Sequence, residues 1–227
     1  MNPHKIFRFF DTFFINAVAD VEIHGREHIP PGGFVIAMNH LGRLDSFLLH
    51  YALRDHNDFA VPVAEKYEKH PFFGPVGRWL GAIWIDRFNA DIGAVREIIA
   101  RMRAGAVLVI APEGTRSKTE AMQEAKPGVA FLAARAGVPI LPVAIIGTED
   151  RVIRENVSHF RRSKIVVRAG PAFTLNVPHG QKRDEALKVA TDEIMCQIGA
   201  LLPEKYRGVY AEHPRLKEIQ KGAGEHA

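Results

Sequence analysis

The chain has 227 residues, 47% hydrophobic and 25% charged, which suits one folded domain with a sizeable core and excludes a disordered polypeptide. Its formal net charge of +4 and pI of about 9.3 are a mild, diffuse basic excess; no Lys/Arg stripe interleaved with aromatics points to nucleic acid, which leaves anionic substrates or an anionic membrane surface. Cys196 is the only cysteine, so no internal disulfide forms and the chain suits a reducing compartment.

Residues 1–20 set Lys5 and Arg8 ahead of a phenylalanine-rich segment ending in Ala17-Val18-Ala19, superficially a signal-peptide cleavage site. Asp11, Thr12 and Asn16 interrupt the apolar stretch, and no run in the chain approaches the ~18 apolar residues of a membrane-spanning helix. Ile6, Phe9, Phe10, Phe13, Phe14 and Ala17 instead share one helical face, with Lys5, Arg8, Asp11 and Thr12 elsewhere. Such a stripe either packs on the protein or lies in a membrane interface. Residues 21–28 are a short strand and turn. His24 and His28, four apart, would suit a metal on a helix, but Gly25 and Pro30 argue against one and no third ligand is near, so both are surface histidines.

The first chemistry lies in residues 39–47. Phe34-Val35-Ile36-Ala37-Met38, bounded by Gly32-Gly33, is a buried strand by its continuous apolar run, and His40 stands at its C-terminal end. Gly42 allows a turn; Leu44, Phe47, Leu48, Tyr51 and Ala52 then recur with a helical period, placing Asp45 in the first turn of a helix. In an open α/β sheet, ligands bind at the carboxyl ends of strands. An aspartate there accepts the proton of one imidazole nitrogen and leaves the other to take a proton from a hydroxyl. The plainer alternative is a strand-end histidine beside a carboxylate that favours a helix N-terminus.

Residues 59–64 are the next strand, which Pro62 pushes toward an edge or bulge. Lys66 follows in a Lys/Glu run, and residues 72–80 are apolar but too rich in Gly and Pro for a regular helix. Residues 82–85 form a strand closed by Asp86-Arg87. Residues 91–104 form a helix with Ile92, Val95, Ile98, Ile99 and Met102 on one face and Gly105 at its end. From the strand 106–110 hangs Ala111-Pro112-Glu113-Gly114-Thr115-Arg116-Ser117, a second cluster of polar chemistry at a strand end. Gly114 lets the backbone approach a ligand, Thr115 offers a hydroxyl, and Arg116 offers a fork of donors for phosphate oxygens. Glu113 holds Arg116, orders the loop or accepts a substrate hydroxyl, and the stretch from Ser117 to Pro127 reads as a flexible polar loop.

Pro127 starts a helix over residues 128–136 that Gly137 ends. Residues 138–146 are an apolar strand that Pro139 and Pro142 make strained, bulged or peripheral. A polar connection follows to Arg162, with Arg151, Arg154, Arg161 and Arg162 in it. A strand at 164–168, a turn at Pro178-His179-Gly180 and an amphipathic helix over 183–202 come next. Beyond Pro203 the chain is polar and irregular, fraying from Lys217. Together these elements read as a single α/β domain over residues 21–210, a mixed, mostly parallel sheet flanked by helices, between the N-terminal amphipathic helix 1–20 and a polar tail 211–227.

Four blocks in order resemble the motifs of the glycerolipid acyltransferase family, most closely its bacterial 1-acylglycerol-3-phosphate acyltransferases. They are the histidine and aspartate five apart, Gly81-Ala82-Ile83-Trp84-Ile85-Asp86-Arg87, the Glu-Gly-Thr-Arg block, and Val138-Pro139-Ile140-Leu141-Pro142-Val143. The resemblance implies transfer of a fatty acyl group from acyl-CoA or acyl carrier protein to the free hydroxyl of lysophosphatidate, giving phosphatidate, with His40 as base oriented by Asp45. It implies that Lys66, Arg87 and Arg116 face the acceptor's phosphate, with Glu113, Gly114 and Thr115 completing the site and residues 72–80 along the acyl chain. No metal or dissociable cofactor is implied, and the chain would sit in the cytoplasm, peripheral on the inner face of the cytoplasmic membrane.

The sequence departs from the commonest family pattern at Gly42, where many members have serine, and at Trp84 and Ala111, where phenylalanine is usual. These leave glycerol 3-phosphate, another lysophospholipid or a glycolipid open as acceptor. A lipid esterase would need a serine nucleophile, yet none of Ser46, Ser117, Ser158 and Ser163 lies in a G-x-S-x-G elbow. A non-catalytic lipid-binding protein would have no use for the His40, Asp45 and Arg116 combination.

Overall fold

A strand sends alternate side chains to opposite faces, so a fully buried strand serves two cores at once. The strand Phe34–Met38 (β2) does this: Val35 and Ala37 enter one core, Phe34, Ile36 and Met38 the other. The computed structural model describes residues 3–53, 58–71, 73–86, 91–177 and 183–224. Around β2 it arranges β1 (Ala19–His24), β3 (Phe59–Ala64), β4 (Ala82–Ile85), β5 (Val107–Ile110), β6 (Ile140–Ile146) and β7 (Ser163–Ala169) in one seven-stranded sheet of order β1-β7-β6-β2-β5-β3-β4. β2 pairs parallel with both β5 and β6, and β3 parallel with β5 and β4. β7 runs antiparallel to β6, and β1 pairs parallel with β7. The sheet is therefore mixed and mostly parallel, as expected. Because β1 and β7 are reversed, their N-terminal ends share one rim with the C-terminal ends of the other five strands.

Helices cover both faces. On one side α4 (Ile92–Arg103), α5 (Gly128–Ala136), α7 (Arg183–Leu201) and α8 (Pro214–Gly224) bury residues such as Met102, Ala130, Ile194 and Leu216. On the other, α1 (Pro3–Val18) and α2 (Asp45–Ala52) contribute Ile15, Leu48 and Leu49. The expected glycines follow α4 and α5, Gly105 at φ 107° and Gly137 at φ 72°, and the Asp91 side chain adds a cap at the start of α4, accepting from Ala94 N at 2.9 Å.

Several expectations are corrected. Pro62 and Pro142 lie in internal strands. β3 pairs with β5 only at Phe59↔Val107 and Ala60↔Leu108, then with β4 from Val61 to Ala64, so Pro62 falls where the ladder to β5 has already ended. Pro142 likewise precedes the β6–β7 ladder, which begins at Val143↔Ala169. Residues expected to be irregular form the helix Phe73–Trp79 (α3). There Pro75 occupies the first turn, where its missing N–H is one that no helix satisfies, and Gly77 admits the Trp84 ring, 2.5 Å from where a β-carbon would stand. The polar connection contains the helix Asp150–Ser158 (α6), whose Ile153 joins the α1–α2 core.

The expected fraying from Lys217 is absent through Gly224, since α8 packs on α7 with Leu216 at 0% exposure. In α4, Ile92 is exposed and Ala94 takes the inward position instead. The N-terminal helix turns Asp11 and Ile15 inward, while Phe9, Phe10, Phe13 and Phe14 are 48% to 69% exposed. Asp11 lies 3.3 Å from His50 Nδ1 on α2, and burial pushes its carboxyl above the usual range. No helix among the described residues is long and apolar enough to cross a membrane. Arg87 and the turn expected at Pro178-His179-Gly180 lie outside the described residues.

Leu216→Ala should lower stability by about 2–5 kcal/mol in urea unfolding, the range for truncating a fully buried leucine. A frayed terminus would give a shift within about 0.5 kcal/mol.

Candidate active site

β2 is extended past Met38 by a side chain. The Asn39 amide donates to Ile145 O at 2.9 Å and accepts from Ile145 N at 2.8 Å, a bridge to β6 that fixes where the backbone leaves the sheet. His40 follows, and Asp45, the first residue of α2, is completely buried beneath it. Asp45 Oδ2 lies 2.7 Å from His40 Nδ1 and accepts from Leu41 N at 2.8 Å and Gly42 N at 3.0 Å. A carboxylate oxygen that accepts from two backbone N–H groups suits the tautomer with its proton on Nδ1, which leaves the Nε2 lone pair outside this bond. Asp45 Oδ1 has no hydrogen-bond partner, and the His40 side chain is 22% exposed. The turn between them is tight against the rest of the protein: a β-carbon at Gly42 would lie 1.9 Å from Thr148 O.

The second motif closes on the first. Ser117 N donates to His40 O at 2.8 Å, and His40 N donates to Glu113 Oε1 at 3.3 Å, so the histidine's peptide groups are clasped from both sides. Glu113 Oε2 accepts from Gln123 N at 2.9 Å and Gln123 Nε2 at 3.4 Å. Burial raises the Glu113 pKa, and these donors together with the nearby His40 oppose the rise. Of its three anticipated uses, loop ordering is the one seen. Arg116 is held elsewhere: its Nη1 donates to Asp150 Oδ2 at 2.8 Å, and Asp150 Oδ1 accepts from Arg43 N at 2.9 Å. Exposed pairs of this kind are worth about 0–1 kcal/mol.

Where β5 and β3 part company a cleft of ≈ 310 Å³ opens, with Val61 and Pro62 on one wall and Val109 and Ala111 on the other. His40 and Gly114 line it, and so do Asp86 and Lys126. A smaller apolar recess adjoins it, sharing Ser46, Val61 and Val109 and reaching Phe59 and Leu80. From the apolar stretch 72–80, Leu80 is the residue in that recess. Thr115 and Arg116 are exposed on the loop outside the cleft lining. Lys66 is exposed too, its Nζ 5.1 Å from the centre of its neighbour Tyr67's ring.

Three contributors escape sequence reasoning: Asn39, Asp150 and Lys126. The segment before Pro127 is an ordered loop, contrary to expectation. Met122 is 2% exposed and its N donates to Tyr206 O at 2.9 Å, Lys126 N donates to Pro112 O at 2.9 Å, and Ala125 N reaches Tyr210 Oη at 3.2 Å. The only local signal for Lys126 is its place immediately before the Pro-Gly helix start.

A histidine–aspartate pair at the carboxyl end of a parallel strand, clasped by a Glu-Gly-Thr-Arg loop, defines the class of site, and comparison with known proteins gives the family of the chain. The model of the family described as Acyltransferase matches residues 20–146, more than half of the chain, and the chain belongs to that family. It is 30% identical over 179 residues to the 1-acyl-sn-glycerol-3-phosphate acyltransferase of Borreliella burgdorferi, covering 78% of this chain and 70% of the relative. It is 32% identical over 135 residues to the alpha form from Ovis aries (57% of this chain, 46% of the relative) and 30% identical over 130 residues to the Escherichia coli enzyme (56% and 51%). The match thus spans about half the length of these last two relatives. The crystal structure of the 1-acyl-sn-glycerophosphate acyltransferase PlsC from Thermotoga maritima shares the fold, with a TM-score of 0.61 at 24% identity over 84% of this chain and 76% of that one.

Gly42→Ala drives a β-carbon into the Thr148 carbonyl and should lower stability by about 1–3 kcal/mol. Gly222→Ala, where the same atom meets nothing within 4 Å, is the control in the same denaturation assay.

Proposed function

We infer that the chain transfers a fatty acyl group from an acyl thioester, on coenzyme A or acyl carrier protein, to the free hydroxyl of lysophosphatidate, giving phosphatidate. The observation that carries this is a single imidazole whose Nδ1 is held by a buried carboxylate while the ring lines an open cleft. The activity for which the relatives are named supports the acceptor.

In this reading the acceptor hydroxyl gives its proton to His40 Nε2 as its oxygen bonds to the thioester carbonyl carbon. The tetrahedral intermediate then collapses, the C–S bond breaks, and the thiolate recovers that proton from the imidazolium. Asp45 holds the ring and stabilises its charged form, a role worth about 100- to 10,000-fold together with the base itself. Acyl transfer of this kind needs no serine nucleophile, metal or dissociable cofactor. The apolar recess toward Phe59 and Leu80 suits the start of an acyl chain. Arg116 and Arg43, gathered on Asp150, stand at the rim where an anionic headgroup arrives.

A lipid acceptor must be drawn from a bilayer, and α1 supplies the means: its phenylalanine stripe faces solvent while Asp11 and Ile15 secure the opposite side. The C-terminal end of α1 leads directly into β1, whose N-terminal end is at the same rim of the sheet as His40. The chain in this reading is a peripheral protein of the inner face of the cytoplasmic membrane.

His40→Ala should cut thiol release from an acyl thioester in the presence of lysophosphatidate by about 100- to 10,000-fold with an unchanged unfolding midpoint. Full activity in that variant rules out the base role, and thiol release without any acceptor would indicate a hydrolase. The double substitution Phe9→Ser with Phe13→Ser should abolish co-flotation with anionic phospholipid vesicles; undiminished flotation would move the membrane contact away from α1.

A further inference from the structure

Of the cations that the sequence singles out, the two among the described residues do not line the cleft: Arg116 is engaged by Asp150, and Lys66 lies beside Tyr67. Among the described residues that do, Lys126 is the only lysine or arginine. Its side chain runs over Gly114, where a β-carbon would stand 3.4 Å from Lys126 Cδ and 3.6 Å from Nζ. A β-carbon there would make only ordinary contact with the lysine, and it is the left-handed φ of 72° that calls for glycine. The backbone beneath is fixed by the bonds from Lys126 N to Pro112 O and from Ala125 N to Tyr210 Oη, and Pro127 immediately begins α5. No carboxylate among the described residues pairs with the ammonium. Asp86, the acidic group of the lining, follows β4, two strands from β5 and thus about 10 Å across the sheet. His40 follows β2, the immediate neighbour of β5, about 5 Å across.

We propose that Lys126 is the specificity-determining cation of the cleft, gripping the phosphate of the acceptor while the glycerol hydroxyl meets His40 Nε2. This rests on the acyl-transfer reading and adds to it the group that makes a phosphorylated acceptor preferred. An ammonium is a compact point charge with three donors, suited to a phosphate approaching over a glycine. His40 and Lys126 line the same cleft, which lets one acceptor headgroup meet both. Phosphate also occurs in the coenzyme A donor, and the two sources separate in the kinetics.

The test is Lys126→Gln and Lys126→Arg, assayed for transfer to lysophosphatidate and to the uncharged 1-acylglycerol. Loss of a hydrogen bond to a charged group predicts a rise of about 10- to 100-fold in the KM for lysophosphatidate in the Gln variant, partly restored by Arg. The penalty should be missing with 1-acylglycerol, and the donor KM should stay put, a split that general misfolding does not produce. An unchanged acceptor KM, an equal loss with both acceptors, or a rise confined to the donor KM would each overturn the assignment. Titrating lysophosphatidate without donor, followed by tryptophan fluorescence, separates the two readings. Lys126-dependent binding without acyl transfer would sink the acyl-transfer reading and keep the anion site. Binding that ignores the Gln substitution would do the reverse.

Discussion

A carboxylate with no access to water must replace its hydration from within the protein, and Asp45 does so through one oxygen. Leu41 N, Gly42 N and His40 Nδ1 all converge on Oδ2. The backbone between residues 40 and 45 is therefore wound around the acid, and the imidazole is the last donor drawn in. This one requirement explains the spacing of the two residues, the ring's tautomer and the need for glycine at 42, where the wound turn meets the Thr148 carbonyl. It also explains why the histidine needs a second set of supports. A ring held by one nitrogen can still swing with its backbone, and the bonds to Glu113 and from Ser117 fix that backbone on both sides.

The cleft exists because a strand changes partners. β3 leaves β5 after two residues and continues along β4, and the gap is filled by no side chain large enough to close it. Pro62 is suited to this place, since a residue without an N–H loses nothing where no acceptor faces it. Sheet order does the rest. β2 and β5 lie side by side although some seventy residues separate their ends, so two loops distant in sequence share one rim.

Much of this was legible from the chain alone. Continuous apolar runs marked β2 and β5, the cap residues marked α4 and α5, and the polar clusters at two strand ends marked the site. The misses have a common physical origin in contacts between residues far apart. Gly74 and Gly77 look like helix breakers until one sees that Glu68 O and the Trp84 ring occupy the space a side chain would need. Pro62 and Pro142 look peripheral until the neighbouring ladders are seen to stop beside them. Arg116 looked free for a ligand because its partner, Asp150, is 34 residues away on a helix whose polar sequence hid its inward Ile153. The loop before Pro127 looked flexible because its anchors come from Tyr206 and Tyr210.

Those anchors have a bearing on how the protein comes into being. Tyr206 O receives Met122 N, Val209 N donates to Met122 O, and the Tyr206 hydroxyl donates to Glu149 at 2.5 Å. Gly208 is in the left-handed region at φ 50° and passes so near Met122 O that a β-carbon would fall 1.9 Å from it. Chains emerge from the ribosome N-terminus first. The histidine and aspartate precede the Glu113 loop in the chain, and the strap that holds the segment behind that loop follows both. The support of the histidine is therefore completed only once the segment from Tyr206 to Tyr210 has been made and has closed on Met122 and Ala125.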